Sequence, residues 1–179
     1  ATKIFHTGEG GAAFCNDSEL HARLFRLHNF GYTSQVSFDS VGINGKMSEL
    51  HAAMGLAMLP YMEDIAASRK AVVECYIDRL AHASIQLLKL RESTEWNYSY
   101  FPIVLETEEH LLAVLNALTA RQIIPRRYFY PSLNETGLLD NQPAPVSESI
   151  SRRVLCLPLY HGLEREQVDE ISSCILSAL

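Results

Sequence analysis

Pro60 lies between two stretches of helical pattern, and it limits how this chain can fold. Residues 48–49 (Ser-Glu) are typical of a helix start, and residues 61–82 carry apolar side chains at helical spacing. A proline inside a helix removes one hydrogen bond and clashes with the preceding turn, but it is tolerated in a first turn. The sequence therefore predicts a kink or a new helix start at Pro60 and a boundary between two domains, 1–58 and 59–179.

Alternating strands and helices are predicted on both sides of this boundary, which indicates an α/β fold. The predicted strands are 11–15, 86–90, 98–105, 126–130 and 154–157. The predicted helices begin near Asn16 or Asp17, and near Ser48, Tyr61, Thr107, Ser147 and Glu164. Residues 32–43 and 131–145 are expected to be loops. Pro102 suggests that its strand lies at a sheet edge or contains a bulge, because proline cannot donate to a central ladder.

The predicted helix that begins near Ser48 is also expected to pack through one of its faces. Leu50, Ala53, Met54 and Ala57 recur at helical spacing and would form a face of mostly small residues. We expect that face to pack closely against a neighbouring element.

A lysine, Lys3, precedes a glycine-punctuated turn at residues 7–11 (Thr-Gly-Glu-Gly-Gly). A lysine amine that is fixed in position and partly desolvated can lose its proton and attack a carbonyl carbon, as Schiff-base enzymes require. Arginine cannot replace it because its guanidinium stays protonated. A lysine beside glycines is more often a solvated loop residue, so these residues alone leave both interpretations open.

Further motifs follow in order along the chain. Residues 1–3 read Ala-Thr-Lys, residues 42–49 read Gly-Ile-Asn-Gly-Lys-Met-Ser-Glu, and residues 51–56 read His-Ala-Ala-Met-Gly-Leu. Together with Arg69, Tyr76 and the segment 151–159, they resemble the DegT/DnrJ/EryC1/StrS family of pyridoxal phosphate (PLP) nucleotide-sugar aminotransferases. The resemblance extends over essentially the whole chain.

The resemblance implies a PLP fold type I protein, similar to aspartate aminotransferase. Residues 1–58 would be the carboxy-terminal remainder of the large PLP-binding domain, and 59–179 the small domain with a mainly antiparallel sheet. Because the family's upstream half supplies most of the large-domain sheet, we expect this chain to be the carboxy-terminal part of a longer enzyme.

The resemblance also implies an activity. The expected reaction moves an amino group from an amino acid, with L-glutamate favoured, to a nucleotide-linked keto-6-deoxy sugar. A dTDP-4-keto-6-deoxyhexose is the favoured substrate. A homodimer with an active site shared between subunits is implied as well.

Five residues receive roles from the resemblance. Lys3 would hold PLP as a Schiff base and then transfer protons as general base and acid. Asn44 would bind the phosphate of the partner subunit's cofactor, although a turn residue in left-handed conformation is an alternative. Lys46, which stands where the family often has arginine, is expected to bind substrate. Arg127 and Tyr130 are expected to do the same, although both also suit a strand packed on a helix.

Other classes of function are disfavoured by composition. The net charge of −6 argues against binding to nucleic acid or to an anionic membrane surface. No apolar run approaches the roughly 20 residues of a membrane-spanning helix. His6, Cys15 and His21 lack the spacing of a zinc site, so no metal is expected. The four scattered cysteines favour a reduced, cytoplasmic protein.

Two alternatives to an aminotransferase remain open from the sequence. Dehydratases of the same family carry histidine in place of the Schiff-base lysine, and Lys3 speaks against that assignment. The 179 residues could also be an inactive fragment that acts only in dimerisation or binding.

Overall fold

A computed structural model describes residues 3–138 and 142–179 of the chain. The chain divides into two compact units, Ala1–Met62 and Glu63–Leu179. The division follows Met62, whereas the sequence placed a boundary after residue 58. The assignment of the two units to a large and a small domain stays a prediction.

The first unit contains two helices and a short hairpin: α1 (Ser18–His28), β1 (Tyr32–Ser34), β2 (Ser37–Phe38) and α2 (Glu49–Met58). Asp17 begins α1 as predicted, since its Oδ1 accepts the backbone N–H groups of Glu19 at 2.8 Å and Leu20 at 3.0 Å. Gly31, at φ +80°, donates its N–H to the Arg26 carbonyl at 2.8 Å and closes the helix end.

Two predictions in this unit are wrong. Residues 11–15 form no strand, and Phe14 is 94% exposed, because none of the strands in the described ranges pairs with this segment. Residues 32–43 are more than a loop, since β1 and β2 pair in antiparallel register. The rings of Tyr32 and Phe38 stack across that pair with centroids 4.5 Å apart, a contact that local periodicity does not reveal.

The prediction that Leu50, Ala53, Met54 and Ala57 of α2 form a packed face is also wrong. Leu50 is 83% exposed, and Gly55 is the residue of α2 that is buried. The reason is steric: glycine has no side chain, so another segment can approach the helix backbone at that position. Helix α2 nonetheless begins as predicted, with Ser48 Oγ accepting the His51 N–H at 3.3 Å.

Pro60 interrupts the helical run as predicted. It lies in a single 3₁₀ turn, Leu59–Tyr61, after which α3 (Met62–Leu80) begins. The missing proline N–H falls in a first turn, where the backbone N–H groups have no intrahelical partner.

The second unit contains a sheet and four helices: α3, β3 (Ile85–Leu87), β4 (Phe101–Leu105), α4 (Glu108–Ala120), α5 (Pro145–Arg153), β5 (Val154–Leu157) and α6 (Arg165–Ser177). The three strands are antiparallel in the order β3-β4-β5. The predicted α/β architecture with an antiparallel sheet is therefore confirmed for this unit.

The hydrophobic core of the second unit lies between the sheet and the helices. Alternate residues of β4, Phe101, Ile103 and Leu105, are at most 1% exposed. Buried side chains of α3, α4, β5 and α6 join them. Among the described residues, all the buried apolar side chains belong to this unit.

Pro102 occupies the central strand and not an edge, which corrects the prediction. It lies opposite Cys156 of β5, whose own N–H and C=O both bond to Arg126 on the other side. The proline nitrogen therefore faces the β3 side, and the β3 pairing ends at Ile103. No ladder bond is lost there, so the central strand tolerates proline.

The predicted strand 126–130 is reduced to one residue. Arg126 forms an isolated bridge with Cys156, through hydrogen bonds of 3.0 and 2.8 Å. The residues that follow make contacts with α4 and α5 instead, through Arg127 and Ser132. In the loop predicted at 131–145, Leu133–Thr136 form a 3₁₀ turn. Residues 139–141 of that loop lie outside the described ranges.

Candidate functional site

Lys3 lies exposed at the beginning of the first unit, just before the glycine turn. Residues 1–2 of its motif are outside the described ranges. Thr7 is only 7% exposed and anchors the turn, with its Oγ1 3.8 Å from Met47 Sδ. A Cβ atom at Gly10 would collide with Thr7 Oγ1 and would lie 2.5 Å from Met47 Sδ. The turn after Lys3 is therefore tightly packed, and only glycine fits at position 10.

A cleft of about 610 Å³ opens between this turn and α2. Its walls are mainly apolar and include Phe5, Phe14, Met47, Leu56 and Leu59. Such a surface can cover the face of an aromatic ring or the apolar side chains of another segment.

The loop before α2 brings Asn44 and Lys46 together. Lys46 Nζ donates a hydrogen bond to Asn44 Oδ1 at 2.7 Å, and the same ammonium lies 4.1 Å from the ring centroid of Phe30. Asn44 is bridged to Asn29 in antiparallel fashion at the end of α1. Two of the residues expected to bind cofactor or substrate therefore share one exposed loop in the same unit as Lys3.

Arg127 and Tyr130 are brought together in the second unit. The guanidinium carbon of Arg127 lies 3.7 Å from the Tyr130 ring centroid. Arg127 Nη2 also pairs with Glu108 Oε1 at 3.0 Å and donates to the Arg152 carbonyl at 3.2 Å. Much of the Arg127 charge is thus neutralised by Glu108, whereas the Tyr130 ring remains 48% exposed.

Sequence reasoning missed the contacts that hold Ser132 and Asn134 against α5. Glu148 Oε1 accepts the Ala144 N–H at 2.8 Å and the Asn134 amide at 2.6 Å, and these bonds hold the pKa of Glu148 below its usual range. The Asn134 amide is therefore committed to Glu148. Ser132 Oγ is 2.7 Å from Ser147 Oγ. Only the acidic first turns of α4 and α5 hinted at these contacts.

Arg126 precedes Arg127 on the same segment. It is exposed, and its Nη1 donates to the Tyr128 hydroxyl at 2.7 Å. It therefore presents a positive charge on the same segment as Tyr130.

Residues 3–138 and 142–179 contain no group of three or more His, Cys, Asp and Glu side chains that could hold a metal ion. Within those ranges, no helix combines the length and apolar character needed to cross a bilayer.

The model of the DegT/DnrJ/EryC1/StrS aminotransferase family matches residues 1–176. The dTDP-4-amino-4,6-dideoxy-D-glucose transaminase of Escherichia coli is 35% identical over 96% of this chain and 48% of its own length. The GDP-perosamine synthase of Vibrio cholerae is 31% identical over 97% of this chain and 49% of its own length.

Solved structures show the same relationship. A putative PLP-dependent aminotransferase from Bacillus cereus superposes with a TM-score of 0.86 at 30% identity, over 97% of this chain and 49% of that one. DesI, solved in the presence of its TDP-sugar product, gives a TM-score of 0.85 at 26% identity, over 98% and 47%. The chain spans about half the length of the proteins that it matches.

Proposed function

Because the chain belongs to the DegT/DnrJ/EryC1/StrS aminotransferase family, we propose that its protein transfers an amino group to a nucleotide-linked keto sugar. Its fold is the predicted α/β fold of PLP fold type I. The observation that carries the proposal is Lys3, an exposed primary amine directly ahead of a tightly packed glycine turn. A lysine in such a position can be held in one pose while its amine stays reachable.

The residues of the first unit fit PLP as the cofactor. The Lys3 amine would hold it covalently, and the Asn44 amide would offer N–H donors to the phosphate of the partner subunit's cofactor. When bound, PLP acts as an electron sink for negative charge at the donor's α-carbon. Once the amine of the donor has displaced it from the cofactor, the freed Lys3 Nζ would take the proton from that carbon as a general base and then donate it as a general acid. Arginine at position 3 could neither form the Schiff base nor act as a base, because its guanidinium stays protonated.

The favoured acceptor is a dTDP-4-keto-6-deoxyhexose, and the favoured donor is L-glutamate. Support for the acceptor comes from relatives named as dTDP-4-amino-4,6-dideoxy-D-glucose transaminases. Tyr130 suits the nucleotide because its exposed ring is backed by the Arg127 guanidinium and can stack on a base. Arg126 supplies a nearby charge for a diphosphate.

A homodimer with a shared active site is part of the proposal. The loop that carries Asn44 is exposed, and large apolar side chains around it face outwards, among them Ile43 at 70% and Leu50 at 83%. Such surface is typical of contact regions. We further propose a cytoplasmic location, where nucleotide sugars are aminated and thiols stay reduced.

The proposal is tested by replacing Lys3 with alanine and, separately, with arginine in the full-length protein. With L-glutamate and a dTDP-4-keto-6-deoxyhexose, we expect formation of the aminated sugar to fall at least about 100-fold in both variants. Lys70→Ala is the control, because Lys70 is an exposed residue of α3 paired only loosely with Glu74 at 3.7 Å.

Two outcomes would contradict the proposal. Full turnover by the Lys3→Ala variant would exclude Lys3 from the chemistry. Release of a dehydrated sugar without amine incorporation by the wild-type protein would favour the dehydratase instead.

A further inference from the structure

We propose that Lys46 is a positioning residue, which turns the Asn44 amide so that its N–H donors face the phosphate of the partner subunit's cofactor. This inference rests on the proposed function, since it assumes that Asn44 binds that phosphate. It assigns Lys46 a role different from the direct substrate contact expected from the sequence.

The first argument is the hydrogen bond between the two side chains. Lys46 Nζ lies 2.7 Å from Asn44 Oδ1. An ammonium has three donors and no acceptor, so its partner must be the amide oxygen and not the amide nitrogen. The contact therefore decides which way the amide is turned, and it leaves both Nδ2 protons directed away from Lys46.

The second argument is that the ammonium is itself held in place. It lies 4.1 Å from the centroid of the Phe30 ring, within the range of a cation–π interaction. The Phe30 backbone N–H donates to the Ile43 carbonyl at 3.0 Å, which ties the Phe30 backbone to the loop that carries Asn44. Lys46 is thus restrained on two sides.

The third argument is that the backbone around Asn44 has little freedom. Ile43 N–H donates to the Leu27 carbonyl, and Gly45 N–H donates to the His28 carbonyl, each at 2.8 Å. With the backbone anchored to the end of α1, the orientation of the Asn44 amide depends on its side-chain torsions. Lys46 restricts those torsions.

The chemical consequence concerns which end of the Asn44 amide faces the negatively charged phosphate. An amide that presented its oxygen to a phosphate dianion would be repelled, whereas one that presents its N–H groups binds it. Lys46 excludes the repulsive orientation, since turning the amide would place Nδ2 against an ammonium that can only donate. Arginine at position 46 could donate in the same way, but methionine could not.

The test measures cofactor binding by the full-length protein rather than turnover. The variants are Lys46→Met, Lys46→Arg, Asn44→Ala and the double variant, with Lys70→Met as the matched surface control. Each is titrated with PLP and with pyridoxal, which lacks the phosphate. We expect Asn44→Ala and Lys46→Met to weaken PLP binding about tenfold, the loss of one hydrogen bond to a charged group. Pyridoxal binding should stay unchanged.

Coupling and rescue complete the test. If Lys46 acts through Asn44, the double variant binds PLP no more weakly than Asn44→Ala alone, and Lys46→Arg binds it as the wild type does. Phe30→Leu provides a second variant that leaves both Asn44 and Lys46 in place, and it should weaken PLP binding by a smaller factor.

Three results would overturn the inference: unchanged PLP binding in Lys46→Met or in Asn44→Ala, equal loss of PLP and pyridoxal binding in Lys46→Met, or additive losses in the double variant. None of these results would contradict the proposed amino transfer, as long as Lys3→Ala abolishes it. Retained turnover in Lys3→Ala would instead remove the function from which the inference starts.

Discussion

The side chain of Thr7 packs directly on Gly55 of helix α2. A Cβ atom at position 55 would lie 2.8 Å from Thr7 Cγ2, closer than such contacts allow. Gly55 is the buried residue of α2, and Thr7 is 7% exposed. This contact fixes the turn that follows Lys3 to the helix.

Gly55→Ala is therefore expected to destabilise the protein despite its position inside a helix. Alanine gains about 1 kcal/mol of helix propensity over glycine, but overpacking typically costs about 1–3 kcal/mol. We expect the clash to prevail and the thermal midpoint to fall. Gly11→Ala is the matched control, because a Cβ atom there would meet nothing within 4 Å.

A double variant checks the cause of that loss. Thr7→Ser removes the Cγ2 atom, so it should restore most of the stability lost in Gly55→Ala. If the thermal midpoint of the single variant Gly55→Ala were higher than that of the wild type, the contact with Thr7 would not exclude a side chain at position 55.

Tyr76→Phe should lower the free energy of unfolding by about 1–2 kcal/mol. The Tyr76 side chain is fully buried, and its hydroxyl donates to the Pro158 carbonyl at 3.0 Å. Its removal leaves that carbonyl without this donor, while the stacking on Phe101 is kept. Urea unfolding measures the loss, and Tyr61→Phe is the exposed control. Equal effects of the two substitutions would contradict the role of the hydrogen bond.

Asp169→Asn should destabilise the protein at pH 7 and lose its effect in acid. Hydrogen bonds from Arg79, with Nε and Nη2 at 2.6 and 2.7 Å, hold the pKa of Asp169 below its ordinary value of 3.8. A lowered folded-state pKa stabilises the fold above the unfolded-state value, and this stabilisation disappears as the pH falls through the folded-state pKa.

Urea unfolding of wild type and Asp169→Asn at several pH values tests this prediction. The difference between them should be constant above about pH 5 and should shrink as the pH falls below the ordinary value of 3.8. A difference that stays the same down to pH 2 would show that the carboxylate charge contributes nothing.

Cys156 should resist thiol reagents in the folded protein. It is 8% exposed in β5, and burial raises its pKa to about 11, so the reactive thiolate is scarce at pH 8. Cys15 and Cys75 are partly exposed, so both should be labelled by Ellman's reagent before Cys156. Mass spectrometry after labelling in buffer and in urea distinguishes these sites. Rapid modification of Cys156 without denaturant would contradict its burial.

Local signals predicted most helices well. Asp17, Ser48 and Thr107 each accept a backbone N–H at the helix start where the sequence placed it, and Pro60 divides two helices. Such signals act over three or four residues, so they can be identified in the chain itself.

Strand predictions were less secure because a strand needs a partner that is distant in sequence. Residues 11–15 have the composition of a buried strand but no partner among the described strands, and 126–130 pairs only at Arg126. Pro102 was placed at an edge because the sequence does not show where the pairing with β3 ends.

For this protein, the sequence alone determined the helix starts, the break at Pro60 and the ordered motifs that identify the family. The tertiary structure decided which side chains meet: Thr7 with Gly55, Lys46 with Asn44, and Arg127 with Glu108. The physical reason is range. Caps and prolines act through neighbouring backbone groups, whereas steric fit and side-chain pairing depend on how separate parts of each unit pack together.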